Sequence, residues 1–327
     1  MSDAYIASAV RSAIGRFGGA FKSLTPPQLA APVMVAALER AGVAAGELDL
    51  VVMGNVLRGG HGQLVPRQAA FLAGIPRHVD AFAVDMVCSS GMAAVTIAAS
   101  QIKAGEIDLV LAGGVESMSG AGFAMDSGTR WGYKFAPGGL RIVDMMARDG
   151  LSDPETGEAM GEQTERLIAE EGVSRRELDE IAALSNKRAA TATSQGAFAD
   201  EIVPVPYHDG NERSELTVDE GFRPDTTPET LAGLRPAFRP DGALTAGNSS
   251  QISDGAAALV LASERAVAEH GLTPLARVTG SAWAAGEPYR FPEAPIPAVE
   301  KLLKRQGRII GDFDLFENNE AFALNSA

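Results

Sequence analysis

The stretch AFAVDMVCSSGMAAVTIAASQIK, residues 81–103, indicates a strand followed directly by a helix. Its first seven residues, 81–87, are mostly apolar and predict a buried strand. From residue 89 to residue 103 the sequence is rich in alanine, which favours a helix, and Gly105 ends it. A strand that runs straight into a helix is typical of α/β proteins.

The same alternation of strands and helices extends along the whole chain. Further strands are predicted at residues 5–10, 48–53, 107–112 (ending at Gly113-Gly114), 255–263, 275–283 and 313–316. Further helices are predicted at residues 27–41, 65–73, 160–171, 175–194, 264–270 and 298–306. This pattern predicts an α/β fold with a largely buried sheet.

Composition and charge limit the classes of function. Of the 327 residues, 46% are hydrophobic and 21% are charged, so apolar material for a core is ample. The formal net charge of −14 repels phosphate backbones, which argues against nucleic acid as a partner. No signal peptide and no apolar stretch long enough to cross a bilayer is recognisable, so a cytoplasmic protein with no membrane contact is expected.

A change in character near Gly120 predicts an inserted subdomain. Residues 120–240 hold most of the charged, turn-forming and proline-rich sequence, yet their two predicted helices have apolar faces. Residues 42–50 and 307–315 resemble each other, because each joins the end of a helix to an Asp-Leu pair. This similarity indicates two related halves, or only the general likeness of helix–turn–strand joints.

Cys88 is the only cysteine, and it lies between the predicted strand and the predicted helix. At a helix N-terminus, free N–H groups and the helix dipole favour a thiolate, and the same groups can hold an oxyanion. This position indicates a nucleophile. The alternative is a buried structural cysteine, which is a common role for a lone cysteine.

Two polar segments are further candidates for chemistry. Asn318, Asn319 and Glu320 follow the strand predicted at 313–316, where an amide and a carboxylate could direct a water at a carbonyl oxygen. The alternative for these residues is a helix N-cap. The segment LTAGNSS, residues 244–250, could hydrogen-bond an amide-rich ligand, or could form a polar turn before a strand.

The histidines do not indicate a metal site. They are isolated from one another and from Cys88, so no metal is expected; they are His61, His78, His208 and His270. His61 lies among glycines and is expected in a solvent-exposed loop. Neither the P-loop pattern nor the dinucleotide-binding glycine pattern occurs, so no nucleotide site of those two kinds is predicted.

Five separated motifs together resemble the thiolase family, which includes acetyl-CoA acetyltransferases and 3-ketoacyl-CoA thiolases. The motifs are VCSSGM at residues 87–92, AGGVESMS at 112–119, the segment at 185–205, TAGNSS through DGAAA at 245–258, and NEAF at 319–322. They follow the order of the family from Ala4 to the last residue.

The resemblance implies an α/β fold of the thiolase type, with five layers, α-β-α-β-α, built from two similar halves and an inserted loop subdomain. The N-terminal half would comprise residues 1–270, with its core at 1–119 and 241–270 and the CoA-binding loop subdomain at 120–240. Residues 271–327 would begin the C-terminal half.

The resemblance also implies an acyl-CoA C-acyltransferase. Cys88 would take an acyl group from acyl-CoA as a thioester, and a second acyl-CoA would attack it in a Claisen condensation; in reverse, CoA would cleave a 3-ketoacyl-CoA. Asn319 would hold a water that forms an oxyanion site, with Glu320 supporting it. No permanently bound cofactor is expected, because CoA and acyl-CoA are the substrates. A homodimer or homotetramer is expected.

Ten residues fall on positions that line the CoA and acyl sites of the family. Those on CoA-lining positions are Arg223, Thr230, Leu234, Phe238, Ala246 and Ser250, and those near the pantetheine and acyl end are Leu151, Met160, Ala321 and Phe322. Ser250 would bond a pantetheine amide. Arg223, with Arg235 and Arg239, would give a positive patch suited to the nucleotide end of CoA.

The sequence departs from the family in two respects. Family members carry a Gly-His-Pro motif and a Cys-x-Gly-Gly-Gly motif near the C-terminus, and neither occurs in the 327 residues. We therefore expect that the C-terminal part is missing from the sequence, the alternative being a genuinely shortened thiolase-like protein. Ala159 stands where acetoacetyl-forming members usually have histidine, which leaves the acyl chain length open.

Three alternatives to an active thiolase are open. A ketoacyl synthase shares the turn from strand through cysteine to helix, although Glu116 and the segment 319–322 argue against it. A thiolase-like protein without catalysis would bind CoA or lipid and turn nothing over. A truncated product would fold poorly and aggregate.

Overall fold

The computed structural model describes residues 3–133 and 138–327. Residues 1 and 2, and residues 134–137 within the predicted insertion, lie outside the described part. The chain forms two compact units. The first comprises Met1–Gly150, Ala199–Gly221 and Ile252–Val278, and the second comprises Leu151–Phe198, Phe222–Gln251 and Thr279–Ala327. The predicted division at residue 270 remains a prediction.

All strands of the described residues belong to the first unit. They are β1 (Ala4–Ser12), β2 (Gly15–Arg16), β3 (Leu50–Gly54), β4 (Asp80–Val84), β5 (Leu109–Ser117), β6 (Phe123–Met125), β7 (Ile142–Asp144), β8 (Ile202–Val203), β9 (Val205–Asp209), β10 (Glu212–Leu216), β11 (Ser253–Ser263) and β12 (Ala276–Arg277).

The helices are divided between the units. The first unit contains α1 (Pro26–Ala41), α2 (Val65–Leu72), α3 (Ser90–Ala104) and α7 (Glu264–Glu269), and the second contains α4 (Met160–Glu171), α5 (Arg175–Ser194), α6 (Pro228–Ala232) and α8 (Pro295–Gln306). Across residues 3–133 and 138–327, none of the helices has the length and apolar character that crossing a membrane requires.

One mixed sheet is the centre of the first unit. Its strands lie in the order β12-β1-β11-β5-β3-β4, with β2 on β11 and β8 on β1. The neighbours β3, β4 and β5 are parallel, whereas β11 is antiparallel to both β1 and β5. Parallel neighbours require crossover helices, and α2 and α3 supply them.

The two faces of the sheet carry separate apolar clusters, as the alternation of side chains along a strand requires. On one face, Val51 and Met53 of β3 pack with α1 and α2. On the other face, Leu50 and Val52 pack with the alanines of α3. The first unit is therefore a three-layer α-β-α arrangement.

Two predicted strands were wrong in extent or existence. The segment at 275–283 pairs with β1 only at Ala276–Arg277, because β1 begins at Ala4 and offers no further partner beyond it. Residues 313–316 form no strand, because a strand needs a hydrogen-bonded neighbour and none of the described strands pairs with them.

The predicted end of the strand at 107–112 was also wrong. The strand continues through Gly113 and Gly114 to Ser117, and both glycines pair with β11 on one side and β3 on the other. A Cβ at Gly113 would lie 2.0 Å from the carbonyl oxygen of Ala257, so a glycine is needed for this close approach. Here glycine permits close pairing instead of ending the strand.

Residues 42–50 and 307–315, which are similar in sequence, also have similar backbone conformations. Gly42 and Gly307 end α1 and α8 in the left-handed conformation, with φ of 70° and 63°. A 3-10 turn follows each, and its acidic residue, Glu47 or Asp312, accepts a hydrogen bond from the backbone N–H three residues earlier, at 3.0 Å in both cases. The joints are therefore alike up to the point where β3 begins.

Candidate active site

Cys88 lies on a tight turn between β4 and α3 in the first unit. The strand ends at Val84, three residues before the predicted end, because its neighbour β3 ends at Gly54, which pairs with Val84. Val87 has a φ of 49°, in the left-handed region. The N–H of Ser89 donates to the carbonyl of Met86 at 3.1 Å, and that of Ser90 donates to the carbonyl of Val87 at 3.0 Å. The turn places the thiol at the start of α3.

The thiol of Cys88 is free and exposed, so the alternative of a buried structural cysteine is wrong. Nearby protein atoms nevertheless raise the pKa of the thiol, because they displace water that would solvate the thiolate. The negative charge of Glu116 also raises this pKa, and a backbone hydrogen bond opposes the rise. Desolvation therefore acts against the predicted effect of the helix N-terminus, and a favoured thiolate stays a prediction. A base that removes the proton would assist attack by the sulfur.

We expect the alkylation of Cys88 to be slow at neutral pH and to accelerate as the pH rises. Only the thiolate reacts, and a raised pKa moves its appearance above the value of about 8.5 for an ordinary cysteine. The measurement is the rate of modification by iodoacetamide against pH, followed by intact mass, which is unambiguous with one cysteine. A midpoint below that of free cysteine in the same buffer contradicts the expectation.

The start of α3 packs directly against the end of β3. A Cβ at Gly54 would lie 2.4 Å from the carbonyl carbon of Ser90 and 2.5 Å from the nitrogen of Gly91. Such distances are shorter than any van der Waals contact, so only glycine permits the helix to approach this closely. Gly54 therefore helps to determine where the turn with Cys88 lies.

All other predicted site residues belong to the second unit, where two of the motifs are joined. The N–H of Ser250 donates to the carbonyl of Ala321 at 2.9 Å, and Ser249 and Phe322 form an antiparallel bridge. The N–H of Ala323 donates to the carbonyl of Asn248 at 2.9 Å. The segments 245–250 and 319–322 are thus brought together by backbone hydrogen bonds and one isolated β-bridge.

Five of the predicted ligand-lining residues are buried or partly buried in this unit. They are Leu151, Met160, Phe238, Ala321 and Phe322. The ring of Phe322, only 7% exposed, lies edge-on to that of Phe238 with centroids 6.0 Å apart. The N–H of Met160 donates to the carbonyl of Leu151 at 2.9 Å. Met160, Phe238, Ala321 and Phe322 belong to one apolar cluster, and together with Leu151 they are called the apolar floor.

The other five predicted ligand-lining residues are exposed. They are Arg223, Thr230, Leu234, Ala246 and Ser250. The guanidinium groups of Arg223, Arg235 and Arg239 form no ion pair with any carboxylate of the described residues. Unpaired cations of this kind are available to an anionic ligand.

Helix α5 organises the segments that carry these residues. The guanidinium of Arg175 donates to the carbonyls of Leu231 and Leu234, at 2.7 and 3.2 Å. The side chain of Asn186 accepts from the N–H of Arg223 at 2.8 Å. The hydroxyl of Ser185 donates to the carboxylate of Glu320 at 2.6 Å.

The side chains of Glu320 and Asn319 differ in their hydrogen bonding. The carboxylate of Glu320 also accepts from the hydroxyl of Ser326 at 3.1 Å, so it is bound on both oxygens. Asn319 is exposed, and its side-chain amide makes no hydrogen bond within the described residues. No helix begins at these residues in the described part of the chain, so the alternative of a helix N-cap is wrong.

His61 is not a freely solvated loop residue, contrary to expectation. It is partly buried, and its Nε2 atom has no hydrogen-bond partner within the described residues. Burial lowers the pKa of its imidazole. The loop folds back toward Ser117 and Gly120, which glycine-rich sequence alone does not reveal.

Sequence reasoning missed the polar residues that support the motifs. Asn248 of the TAGN segment is buried, and its amide donates to the carboxylate of Asp179 at 2.9 Å, which in turn pairs with Arg175 at 2.8 Å. The carboxylate of Glu165 accepts from the N–H groups of Ala243 and Leu244. Charged residues on the inner face of an otherwise apolar helix were the available signal.

Two family models match the chain. The model described as the thiolase N-terminal domain matches residues 4–265, and that of the thiolase C-terminal domain matches residues 272–326.

Several curated proteins and a solved structure are similar over the whole chain. An acetyl-CoA acetyltransferase of Synechocystis is 55% identical over 327 residues, covering 100% of this chain and 83% of the relative. One from Escherichia coli K12 is 42% identical, covering 99% of this chain and 82% of the relative. The crystal structure of the Bacillus anthracis acetyl-CoA acetyltransferase has a TM-score of 0.95 at 41% identity, over 100% of this chain and 82% of that one. The predicted fold class is thereby confirmed.

Proposed function

The chain belongs to the thiolase family of acyl-CoA C-acyltransferases, and from that membership we propose that Cys88 is the nucleophile that carries the acyl group. The protein is a transferase whose substrates are acyl-CoA and CoA. The observation that supports the role of Cys88 is its free, exposed thiol on the turn between β4 and α3.

The proposed first step is an acyl transfer to sulfur. A base removes the proton of Cys88, and the thiolate attacks the carbonyl carbon of an acyl-CoA thioester. The tetrahedral oxyanion collapses, the bond to the CoA sulfur breaks, and CoA leaves as the acyl group remains on Cys88. Desolvation raises the pKa of the thiol, which agrees with a role for a base in this step.

The proposed second step makes or breaks a carbon–carbon bond. A base takes a proton from the carbon next to the carbonyl of a second acyl-CoA. This carbon attacks the acyl thioester, the bond between the acyl carbon and the Cys88 sulfur breaks, and the expelled thiolate recovers a proton from the protonated base. The charge that develops on the carbonyl oxygen of this acyl-CoA needs a hydrogen-bond donor. We propose that Asn319 supplies it through a bound water, because its amide is exposed and uncommitted, and that Glu320, fixed by Ser185, orients the segment.

The exposed and packed groups of the second unit suggest how CoA is bound. We propose that Arg223 and its neighbouring arginines meet the phosphates, and that Ser250 bonds an amide of the pantetheine chain. Thr230, Leu234 and Ala246 would line the same path at the surface. The apolar floor (Leu151, Met160, Phe238, Ala321 and Phe322) would support the end of the path where the acyl group lies.

Two further properties belong to the proposal. We propose a homodimer or homotetramer, from the resemblance to the family. A cytoplasmic location suits a protein whose single thiol must stay reduced in order to react. Neither a ketoacyl synthase nor a non-catalytic CoA- or lipid-binding protein is favoured by the similarities found.

The protein that carries this chain is expected to cleave acetoacetyl-CoA in the presence of CoA. It is not expected to decarboxylate a malonyl thioester, which a ketoacyl synthase would do. The measurement is the loss of acetoacetyl-CoA and the release of carbon dioxide in parallel assays. Cys88→Ala should lower the cleavage rate by at least about three orders of magnitude, since a lost nucleophile costs about 10⁶-fold in well-studied cases. Decarboxylation without cleavage would overturn the proposal.

A further inference from the structure

The residue immediately before Cys88 has a backbone conformation that branched side chains rarely adopt. Val87 has a φ of 49°, in the left-handed region, where a side chain branched at Cβ is strongly disfavoured. Such a conformation persists only when the surrounding structure imposes it. The contacts that impose it therefore also determine how Cys88 is presented.

Asp85 makes one of these contacts. One carboxylate oxygen of Asp85 accepts from the N–H of Val87 at 3.2 Å. The other oxygen accepts from the guanidinium of Arg58 at 3.1 Å. Asp85 thus connects Val87 by hydrogen bonds to Arg58, which lies in the segment that follows β3.

Glu116 binds that same segment from β5. Its carboxylate accepts from the N–H of Val56 at 2.9 Å, from the N–H of Leu57 at 3.1 Å, and from the side-chain amide of Asn55 at 3.0 Å. The amide of Asn55 also donates to the carbonyl of Val115. Both oxygens of Glu116 face donors, so the site suits a carboxylate and not an amide.

The geometry points to Asp85 and Glu116 as positioning residues for Cys88, which fix its turn through the segment 55–58. This inference rests on the nucleophile role proposed above. Hydrogen bonds join Glu116 to Val56 and Leu57, and they join Arg58, the next residue in the chain, to Asp85. Asp85 in turn accepts from the N–H of Val87, the residue before Cys88.

Two carboxylates and one guanidinium lie next to the turn that carries Cys88. Asp85 comes from the turn, Arg58 from the segment after β3 and Glu116 from β5, whereas the first turn of α3 contributes no acidic residue. The negative charge of Glu116 opposes formation of a thiolate at Cys88. Desolvation and the charge of Asp85 raise the pKa of Glu116, and its backbone hydrogen bonds and Arg58 limit the rise.

The test uses two readouts that need no acyl-CoA, so it can fail or succeed independently of the acyl-transfer proposal. The first is hydrogen exchange of the Val87 amide, compared among the parent, Asp85→Ala and Asp85→Asn. The second is the pH dependence of iodoacetamide alkylation of Cys88 in the parent and in Glu116→Gln. Asp80→Asn is the matched control, because Asp80 is an exposed carboxylate at the opposite end of β4.

We expect Asp85→Ala to accelerate exchange of the Val87 amide by about tenfold or more, because its acceptor is lost. Asp85→Asn should restore most of the protection, since its side-chain oxygen still accepts. Glu116→Gln should speed alkylation at pH 8 roughly threefold, because loss of the negative charge lowers the pKa of the Cys88 thiol. A merely structural role of Glu116 would leave this pH profile unmoved.

Two results would overturn the inference. One is unchanged exchange of the Val87 amide in Asp85→Ala, and the other is an alkylation profile of Glu116→Gln identical to that of Asp80→Asn. Thermal melting by circular dichroism establishes that each variant is folded. Asp85 is exposed, so Asp85→Ala is expected to fold even where Glu116→Gln does not, and its exchange result decides alone.

Discussion

Gly54→Ala is expected to lower the free energy of unfolding by about 3 kcal/mol, because the added methyl group would overlap the backbone of α3. The nearest atoms are the carbonyl carbon of Ser90, at 2.4 Å, and the nitrogen of Gly91, at 2.5 Å. Both are backbone atoms, so no side chain can rotate away. The helix must move outward, and the turn with Cys88 moves with it.

The measurement for Gly54→Ala is denaturant unfolding together with the rate of Cys88 acylation. We expect both stability and rate to fall, and the rate to fall even in conditions where the variant is fully folded. Gly122→Ala is the matched control, because a Cβ there meets no atom within 4 Å. Equal stability of Gly54→Ala and Gly122→Ala would show that α3 is not seated on β3 as described.

Phe322→Ala is expected to have the largest effect in the second unit. Removing a buried phenylalanine costs about 4 kcal/mol, through lost burial and the cavity left behind. The ring of Phe322 contacts those of Phe238 and Phe291, with centroid distances of 6.0 and 6.2 Å. Its loss should also loosen the pairing of the segments 245–250 and 319–322, and so weaken CoA binding.

The measurement for Phe322→Ala is thermal and denaturant unfolding, together with the affinity for CoA by calorimetry. Phe322→Leu is the control, since it keeps most of the apolar volume and should cost less than about 1.5 kcal/mol. A Phe322→Ala variant as stable as Phe322→Leu would contradict the packing described for this cluster.

The sequence alone predicted the elements whose signals are local. Helix α5 has the predicted bounds, 175–194, because Ser174 caps it and its apolar spacing is regular. The side chain of Ser174 accepts from the N–H of Glu177, as a capping serine does. The turn with Cys88 was also predicted, since an apolar run, a cysteine and an alanine-rich run follow in order.

Features that depend on neighbours distant in sequence were not predictable in the same way. Gly113 and Gly114 suggested a strand end, but their role is to admit the backbone of β11, which lies some 140 residues away in the chain. Residues 313–316 have the composition of a strand, yet a strand also needs a partner. The raised pKa of Cys88 arises from desolvation and Glu116, neither of which the position of a helix N-terminus reveals.

The segments of the candidate site were predicted from their motifs, whereas the residues that support them were not. The motif resemblance located the segments 245–250 and 319–322, and the structure joins them by hydrogen bonds within the second unit. Their supports, Asp179, Glu165 and Ser185, come from helices α4 and α5, and no motif identifies them. The roles of the individual residues remain proposals.

The most direct test of the central claim, that Cys88 accepts an acyl group from acyl-CoA, is the mass of the peptide that contains Cys88 after brief mixing with acetyl-CoA and an acid quench. We predict a gain of one acetyl group on this peptide, its loss on addition of free CoA, and no gain in Cys88→Ala. A folded protein that binds acetyl-CoA and yet never acquires the acetyl group on Cys88 would contradict the account.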